Sequence, residues 1–454
     1  MAIESVNPAT GERLASYQPM GSAELDLILD AAVVAQRRWS KLTYEDRAIP
    51  MKRAAELLRE RAGEFARLMA LEMGKPLKDG AAEVVKCAWV CDYFADNTAS
   101  MLSPRHEVSN ASRSYVRFDP LGVLLAVMPW NYPYWQVFRF IGPHLMAGNG
   151  GLLKHASNVP QCALSIDKLM RDAGFPHDLF RTLLISSGPV DSLIRDPRIA
   201  AVTLTGSEPA GRQVAGTAGG SLKPSVLELG GSDPFIVLSD ADLDGAAKAA
   251  AAARTMNAGQ SCICAKRLIV EAPVYDEFLS KFAAAMKGIR VGDPLGDGVD
   301  MGPQARVELR DELHETVRRA IAQGARPLLG CEPPSGLGAF YPVSILCDVS
   351  RDNVAAQEEL FGPVAVVMRA STAEEAVAIA NESRFGLGAS LWTKNEARAE
   401  RLAALIEAGV VYVNAPVQSD PRLPFGGVKA SGFGRELGLE GIRSFCNAKT
   451  VWIK

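Results

Sequence analysis

The chain has 454 residues, with 49 Lys and Arg against 52 Asp and Glu, so its formal net charge is −3 at pH 7. This length predicts two or three domains, and the weak charge leaves no surplus of cations for a phosphate backbone, so we expect no nucleic-acid partner. Apolar runs stay short of the ~18 residues of a membrane helix and the N-terminus lacks signal-peptide zones, so we expect a cytoplasmic protein with no membrane partner.

The first hundred residues are predicted to be helical. Residues 23–40 and 51–73 place apolar side chains at helical spacing among many Arg and Glu. Gly74 and Pro76 mark the end of the second of these segments. We expect these amphipathic helices to cover a sheet.

Strand patterns begin at residue 114. Alternation over 114–118, a break at Asp119-Pro120 and an apolar run over 121–128 predict a strand or hairpin and then a buried strand. Short β-rich runs alternate with helices up to residue 238, and the alternation restarts beyond residue 260. This rhythm is typical of βαβ units, so the sequence predicts an α/β protein with mostly parallel sheets.

The final residues, 444–454, predict a short strand. Alone it would have an unprotected edge, which pairing with another subunit would cover.

Eight cysteines are too few for a disulfide framework in a chain of this length. We expect most of them to be reduced thiols, with Cys87 and Cys91 as packing residues on a helix. The five histidines are scattered, and none stands at metal-ligand spacing from a cysteine, so no metal site is predicted.

A cysteine follows a Gly-Gln turn in the segment Asn257–Cys264. Cys262 lies between an Ala-rich helix and an apolar strand, a position that exposes its thiol. Cysteine reacts as the thiolate, so a functional Cys262 needs backbone amides or cations nearby. A small buried residue without chemistry is the alternative.

A lone carboxylate, Glu228, stands in an apolar strand that ends at Gly230-Gly231. Burial would hold its proton affinity near the working pH, as a general base requires. Two alternatives are a carboxylate satisfied by backbone amides at the strand end and a ribose-binding acid 22 residues after Gly206.

Asn131 lies in a turn bounded by Pro129 and Pro133. The prolines restrict the backbone on both sides, so the side-chain amide could be held rigidly as part of an oxyanion hole. An Asx turn that bonds only its own backbone is the alternative.

The usual Gly-x-Gly-x-x-Gly fingerprint is absent from the βαβ region. The segment Thr203–Gly211 instead contains a strand, then Gly206 and Ser207, then a helix start with Pro209. The N-terminus of that helix could receive phosphate oxygens. This signal is weak by itself because many α/β proteins carry it.

The four segments around Asn131, Gly206, Glu228 and Cys262, in their order along the chain, resemble the aldehyde dehydrogenase superfamily. The resemblance extends to Asn7–Glu12, Glu358–Pro363 and Pro424–Gly432, and so covers nearly the whole chain. It implies an aldehyde dehydrogenase-like fold in three parts. These are a Rossmann-type cofactor domain (1–106 and 121–229), an α/β catalytic domain (230–430) and a small β oligomerisation element (107–120 and 431–454). A homodimer or homotetramer is expected.

The resemblance implies that Cys262 is the nucleophile that attacks an aldehyde. The Asn131 side chain and the Cys262 backbone amide would hold the oxyanion, and Glu228 would deprotonate the water that hydrolyses the thioester. This role replaces the ribose-binding interpretation of Glu228, and it argues against acyl transfer to coenzyme A.

The cofactor site implied by the resemblance consists of Trp130, Lys154, Ser157, Gly206, Ser207, Glu359 and Phe361. Within it, Lys154 and Glu359 would hold the riboses, Phe361 the nicotinamide, and Gly206 with Ser207 the pyrophosphate.

Ser157 stands where family members selective for NAD often carry Glu. A small hydroxyl leaves room for a 2′-phosphate and can donate to it, and Lys154 adds positive charge. We therefore predict NADP as the preferred cofactor over NAD.

The substrate is inferred from the resemblance to one branch of the family, the short bacterial NADP-using succinate-semialdehyde dehydrogenases. Arg139 is expected to receive the distal carboxylate of the semialdehyde, with Ser419 and Arg422 adding to the site from a loop. An arginine in a surface ion pair is the alternative for Arg139. Another substrate, such as glutarate semialdehyde or a neutral aliphatic aldehyde, is the alternative for the enzyme.

Cys264 stands two residues after Cys262. Some succinate-semialdehyde dehydrogenases use a cysteine there as a redox switch, which would require a tight loop, and an inert packing thiol is the alternative.

Two other function classes compete with aldehyde oxidation. These are a Cys-dependent acyl transferase or hydrolase and a catalytically silent binding protein. Neither would use all of the motifs.

Overall fold

The computed structural model describes residues 2–454. Its strands, in chain order, are β1 (Ile3–Val6), β2 (Arg13–Tyr17), β3 (Arg105–His106), β4 (Arg113–Pro120), β5 (Val123–Met128), β6 (Gly150–His155), β7 (Phe180–Thr182), β8 (Ile199–Thr205), β9 (Ser225–Glu228), β10 (Pro234–Val237), β11 (Arg267–Glu271), β12 (Arg326–Leu329), β13 (Ser344–Cys347), β14 (Val364–Ala370), β15 (Phe385–Gly386), β16 (Gly388–Trp392), β17 (Val410–Val413), β18 (Val428–Lys429), β19 (Gly432–Phe433) and β20 (Cys446–Ile453).

The helices lie between these strands. They are α1 (Ser22–Trp39), α2 (Tyr44–Glu60), α3 (Ala62–Met73), α4 (Leu77–Met101), α5 (Trp135–Met146), α6 (Pro160–Asp172), α7 (Val190–Arg195), α8 (Glu208–Gly220), α9 (Leu243–Thr255), α10 (Tyr275–Lys287), α11 (Val307–Ala322), α12 (Val354–Gln357), α13 (Ala373–Asn381), α14 (Glu396–Ala403) and α15 (Gly438–Arg443), with short 3-10 turns at Met256–Gly259 and Ala272–Val274.

The first large sheet has the strand order β19-β9-β8-β5-β6-β7. The five strands β9, β8, β5, β6 and β7 are parallel to one another. The short β19 pairs with β9 in the antiparallel direction. Side chains of α1, α7 and α8 pack on one face, and those of α2 to α6 pack on the other. Covering both faces explains why β5 and β6 are continuous apolar runs rather than alternating ones.

The second large sheet has the order β12-β13-β14-β11-β10-β16-β17, and only its edge strand β12 is antiparallel. Helices α9 and α10 cover one face, while α11 to α14 cover the other. The predicted βαβ rhythm beyond residue 260 therefore forms a separate parallel sheet.

A third sheet has the order β20-β4-β3. The predicted terminal strand is present as β20, and it pairs with β4 from Cys446 opposite Pro120 to Ile453 opposite Arg113. One edge of β20 is thus covered by its own chain, and the side chains of this strand are largely exposed.

Two local predictions for the first hundred residues were wrong. Residues 3–17 form the β1-β2 hairpin rather than helix, since Asn7 O accepts from Gly11 N at 2.7 Å and Gly11 takes a positive φ of 77°. The predicted helix 51–73 is two helices, because the backbone leaves the helical region at Arg61 (φ −108°, ψ 17°). Among residues 2–454, none of the helices combines the length and apolar character needed to span a membrane.

Candidate active site

Four neighbouring parallel strands end along one edge of the first sheet. Glu228 is the last residue of β9, Gly206 follows β8, Asn131 follows β5, and Lys154 is the penultimate residue of β6. The carboxyl ends of parallel strands form the usual ligand-binding edge of an α/β sheet. The register explains why segments almost a hundred residues apart in sequence meet here.

The part of this edge at the ends of β6 and β8, where the sequence predicts the cofactor site, is open. A Cβ added at Gly206 would meet only the Leu204 side chain, at 3.5 Å, so a ligand can approach the backbone closely. Ser207 is the exposed N-cap of the 13-residue helix α8, whose first-turn amides attract anions. Ser157 is exposed two residues beyond β6. The Lys154 ammonium is half-buried with no hydrogen-bond or ion-pair partner among residues 2–454, and burial lowers its pKa.

Two aromatic rings meet between the sheets. The rings of Trp130 and Phe361 are nearly perpendicular, with centroids 5.8 Å apart. Beside them, the Glu359 carboxylate accepts from the Gly231 amide at 3.2 Å and lies 3.0 Å from Lys266 Nζ. These contacts bring the predicted residues of the 358–363 segment to the edge of the first sheet.

The turn before Cys262 has an unusual backbone. Asn257, Ala258 and Gly259 all have positive φ angles, of 54°, 55° and 74°. The left-handed conformation costs on the order of 1–2 kcal/mol for each non-glycine residue. A Cβ on Gly259 would lie 2.2 Å from the carbonyl carbon of Gly362, so this position requires glycine.

A buried arginine holds this turn. Arg254 Nη2 donates to the carbonyl oxygens of Gly259 at 2.8 Å and Gly362 at 2.6 Å. The Asn257 side chain donates to Asn131 O at 2.8 Å. The strained turn is therefore bonded both to the segment just before β14 and to the Asn131 turn.

Cys262 lies half-buried after this turn. Burial raises the pKa of its thiol to about 12, and the positive charges of Lys266 and Arg139 oppose that rise. Lys266 Nζ donates to the carbonyl oxygens of Ser261 and Cys262, each at 2.8 Å. The resting thiol is therefore protonated at neutral pH, and it needs a proton acceptor before it can react.

The Asn131 amide points toward the Cys262 turn rather than to its own backbone. Its Nδ2 donates to Gln260 O at 3.1 Å, so the structure does not show the self-bonded Asx turn. Only one of the two N–H groups is used by this bond, and the other can donate to a ligand.

Glu228 is almost fully buried, at 2% exposure. Neither of its carboxylate oxygens has a hydrogen-bond partner among residues 2–454, which excludes a carboxylate satisfied by backbone amides. Burial raises its pKa to about 8; Arg139 opposes the rise, and Glu436 adds to it. The group can therefore accept or release a proton near neutral pH.

Arg139 forms an ion pair with Glu436, but the pair is buried rather than on the surface. Its Nη2 also donates to Thr205 Oγ1 at 3.3 Å, and the guanidinium lies over the Phe425 ring. Glu436 is a partner that the sequence analysis missed, since 297 residues separate it from Arg139 in the chain.

The two other predicted substrate residues differ in their surroundings. Ser419 is buried and accepts a hydrogen bond from Lys86 Nζ at 2.9 Å. Arg422 is exposed and pairs with Asp420 at 2.6 Å.

Cys264 is fully buried and its Sγ donates to Met256 O at 3.5 Å. All eight cysteines are free thiols. Cys87 and Cys91 pack in the core, as predicted. The redox switch at Cys264 stays a prediction.

A second buried ion pair, Lys75–Glu83, was also missed by the sequence analysis. The Glu83 carboxylate accepts from the amides of Tyr134 and Trp135, each at 2.9 Å, and so caps α5 from another helix. Lys75 Nζ donates to Asn131 O at 3.1 Å. A helix that begins after a proline-bounded turn without a capping side chain of its own is the only sequence signal for this arrangement.

A family model described as aldehyde dehydrogenase family matches residues 1–451. The chain belongs to the aldehyde dehydrogenase family. It is 49% identical to the succinate-semialdehyde dehydrogenase [NADP(+)] of Mycobacterium avium (strain 104), over the whole chain and 97% of that protein. It is also 49% identical to the probable succinate-semialdehyde dehydrogenase [NADP(+)] of Synechocystis sp., over the full length of both.

A solved aldehyde dehydrogenase structure has the same architecture. The crystal structure of succinic semialdehyde dehydrogenase from Streptococcus pyogenes, in complex with NADP+ as the cofactor, is 35% identical, with a TM-score of 0.97 and full coverage of both chains. The predicted family and the α/β aldehyde dehydrogenase fold are confirmed. The role of each site residue stays a prediction, because the comparisons do not test it.

Proposed function

We propose that this aldehyde dehydrogenase oxidises succinate semialdehyde to succinate with NADP as its cofactor. The observation that carries the proposal is the 49% identity, over the full chain, to relatives named as NADP-dependent succinate-semialdehyde dehydrogenases. The site supports it chemically, since a half-buried thiol and an unpartnered buried carboxylate are held near an amide donor.

The first step is addition of Cys262 to the aldehyde. The thiol loses its proton to water, and the positive charges of Lys266 and Arg139 favour the thiolate that forms. Sγ then forms a bond to the aldehyde carbon, and the carbonyl oxygen takes the negative charge. The free N–H of Asn131 and the Cys262 backbone amide donate to that oxyanion.

The second half of the reaction is hydrolysis of the thioester on Cys262. The chemistry that NADP supplies when bound is acceptance of the hydride from the aldehyde carbon. Water then adds to the thioester carbon and gives a proton to Glu228. The carbon–sulfur bond breaks, succinate is released, and the Cys262 thiolate takes the proton back from Glu228.

The open edge of the first sheet fits a dinucleotide phosphate. Lys154 is a half-buried cation without a protein partner, and Gly206 leaves its backbone accessible beside the N-terminus of α8. We assign the riboses to Lys154 and Glu359, and the pyrophosphate to Gly206 and Ser207. The nicotinamide is assigned to the neighbouring rings of Trp130 and Phe361.

Ser157→Glu is expected to lower the NADP to NAD ratio of kcat/KM by about 100-fold. A carboxylate there repels the 2′-phosphate and accepts from a 2′-hydroxyl instead. The measurement is steady-state kinetics with both cofactors. The matched control is Ser280→Glu, which adds the same charge on the exposed face of α10. An unchanged ratio in Ser157→Glu would show that Ser157 does not select the cofactor.

The distal carboxylate of the semialdehyde is assigned to Arg139 and Ser419. Arg139 contributes positive charge from α5, Ser419 contributes a buried hydroxyl, and Arg422 would act farther out on the same loop. Because Arg139 is also paired with Glu436, its charge is partly neutralised before substrate arrives.

An aldehyde panel tests the proposed function. We expect NADPH formation, followed at 340 nm, to give a kcat/KM for succinate semialdehyde at least tenfold above that for butanal, which lacks the carboxylate. Glutarate semialdehyde serves as the longer acidic competitor. Equal or better oxidation of glutarate semialdehyde or butanal would replace the proposed substrate by the other aldehyde.

The domain assignment stays a proposal, with a cofactor domain (1–106 and 121–229), a catalytic domain (230–430) and an oligomerisation element (107–120 and 431–454). The two parallel sheets support the first two parts, although β19 joins the first sheet.

The exposed β20 supports a homodimer or homotetramer, because its outer edge offers backbone groups to a partner. Free thiols at all eight cysteines support a reducing, cytoplasmic location.

A further inference from the structure

Lys86 lies where three elements meet. It projects from α4, its Nζ donates to Ser419 Oγ at 2.9 Å, and it lies 4.3 Å from the centroid of the Trp135 ring at the start of α5. The stem of the side chain is half-buried, so the ammonium is held in one place rather than extended into solvent.

This ammonium has no counterion. Among residues 2–454, no carboxylate lies within 4 Å of Lys86 Nζ, whereas the buried lysines Lys75 and Lys266 are paired with Glu83 and Glu359. A partly desolvated cation is costly without a negative partner. The absence of a carboxylate partner at Lys86 therefore points to an anionic ligand.

We propose that Lys86 is a specificity-determining residue whose ammonium, together with the Ser419 hydroxyl, binds the carboxylate at the far end of the aldehyde substrate. This inference rests on the proposed function and adds a residue to its substrate site. Ser419 Oγ accepts from Lys86, so its own O–H is free to donate, and Lys86 keeps two further N–H donors. The pair thus offers donors from two side chains to one carboxylate.

The location relative to the reacting thiol supports this assignment. Trp135, against which Lys86 packs, follows the Asn131 turn by four residues, and Arg139 lies one helical turn farther along α5. The charge of Arg139 acts on both Lys86 and Cys262. Although Arg139 is paired with Glu436, its charge still repels that of Lys86. A substrate carboxylate beside Lys86 would relieve that repulsion.

The state of Lys86 depends on pH. Burial, followed by the charge of Arg139, lowers its pKa to about 8, while Cys87, Glu83 and Asp420 oppose the decrease. Of these groups, Asp420 is held by Arg422 and Glu83 by Lys75. Lys86 is therefore charged below about pH 8 and loses its charge above it, so the KM for an anionic aldehyde rises as the pH passes 8.

The test is Lys86→Met, assayed with succinate semialdehyde and with butanal. A charged hydrogen bond of typical strength predicts a 10- to 100-fold rise in KM for succinate semialdehyde. We expect the KM for butanal to change less than about threefold, because butanal makes no carboxylate contact. The matched control is Lys78→Met, which removes an exposed lysine of the same helix and should leave both KM values unchanged.

A second variant and the pH profile complete the test. Lys86→Arg keeps the charge, so it should retain affinity for succinate semialdehyde and lose the rise in KM above pH 8. If Lys86→Met fails to fold, the wild-type profile still decides, because a KM that rises with pH for the semialdehyde and stays flat for butanal supports the proposal. Equal changes for both aldehydes, or flat profiles for both, would overturn it. Wild type that does not discriminate between the two aldehydes would instead refute the proposed function.

Discussion

Replacing Cys262 by alanine is expected to lower NADP-dependent aldehyde oxidation by about four orders of magnitude or more. The variant has no sulfur to form the thioester, and removal of a covalent nucleophile typically has an effect of this size. The measurement is kcat from NADPH absorbance at high enzyme concentration. Binding of NADP, measured by titration of intrinsic fluorescence, should be retained because the assigned cofactor residues are unchanged.

Cys446→Ala is the matched control for this variant. Cys446 is also half-buried, and burial likewise raises its pKa to about 12, but it lies at the start of β20. We expect this control to retain wild-type turnover. Residual activity of Cys262→Ala within tenfold of wild type would rule out covalent catalysis at this position.

Glu228→Gln is expected to lower kcat by about 10²- to 10⁴-fold, the usual contribution of a positioned general base. The amide is similar in size but cannot accept the proton of the attacking water. The thioester should therefore accumulate on Cys262, and mass spectrometry of enzyme quenched during turnover would detect an added succinyl group. Turnover within a few-fold of wild type, with no adduct, would exclude Glu228 as the base.

The pH profile gives a separate test of Glu228. Burial raises its pKa to about 8, so below that pH most molecules carry a protonated carboxyl that cannot act as a base. If hydrolysis limits turnover, kcat should rise about tenfold per pH unit below 8 and level off above it. Glu228→Gln should lose this slope. Glu72→Gln, a change at another buried carboxyl with a raised pKa, should keep it, since Glu72 bonds Ser5 and the amides of Gln161 and Cys162.

Opposite pH effects on the two kinetic constants distinguish Glu228 from Lys86. Loss of the Glu228 proton activates the base and raises kcat, whereas loss of the Lys86 proton removes a cation and raises KM. Both occur near pH 8. Above that pH, kcat should therefore be constant while the KM for succinate semialdehyde rises, and this rise in KM should be absent with butanal.

Much of the fold was predictable because local patterns determine it. Apolar runs such as 121–128 and 266–270 correspond to β5 and β11, and the helical spacing over 23–40 corresponds to α1. The hairpin at residues 3–17 was missed, since it depends on one left-handed glycine in a short turn and has little apolar periodicity. Short elements are governed by such single backbone positions more than by hydrophobic pattern.

Three residues of the candidate active site were predictable because each occurs in a sequence context that is unusual for its residue type. A carboxylate within an apolar strand, an asparagine between prolines and a cysteine after a Gly-Gln turn identified Glu228, Asn131 and Cys262, and the resemblance added their roles. The structure brings these residues to one edge of a parallel sheet.

The sequence by itself determined most of the order of strands and helices, the family and the residues able to carry chemistry. Only the tertiary structure decided which charges are neutralised: Arg139 by Glu436, Lys75 by Glu83, and Lys86 by no carboxylate among the described residues. The physical reason is distance. Hydrophobic periodicity is a property of a single helix or strand. The pKa and the partner of a buried charge depend instead on groups that folding brings within a few ångströms from remote parts of the chain.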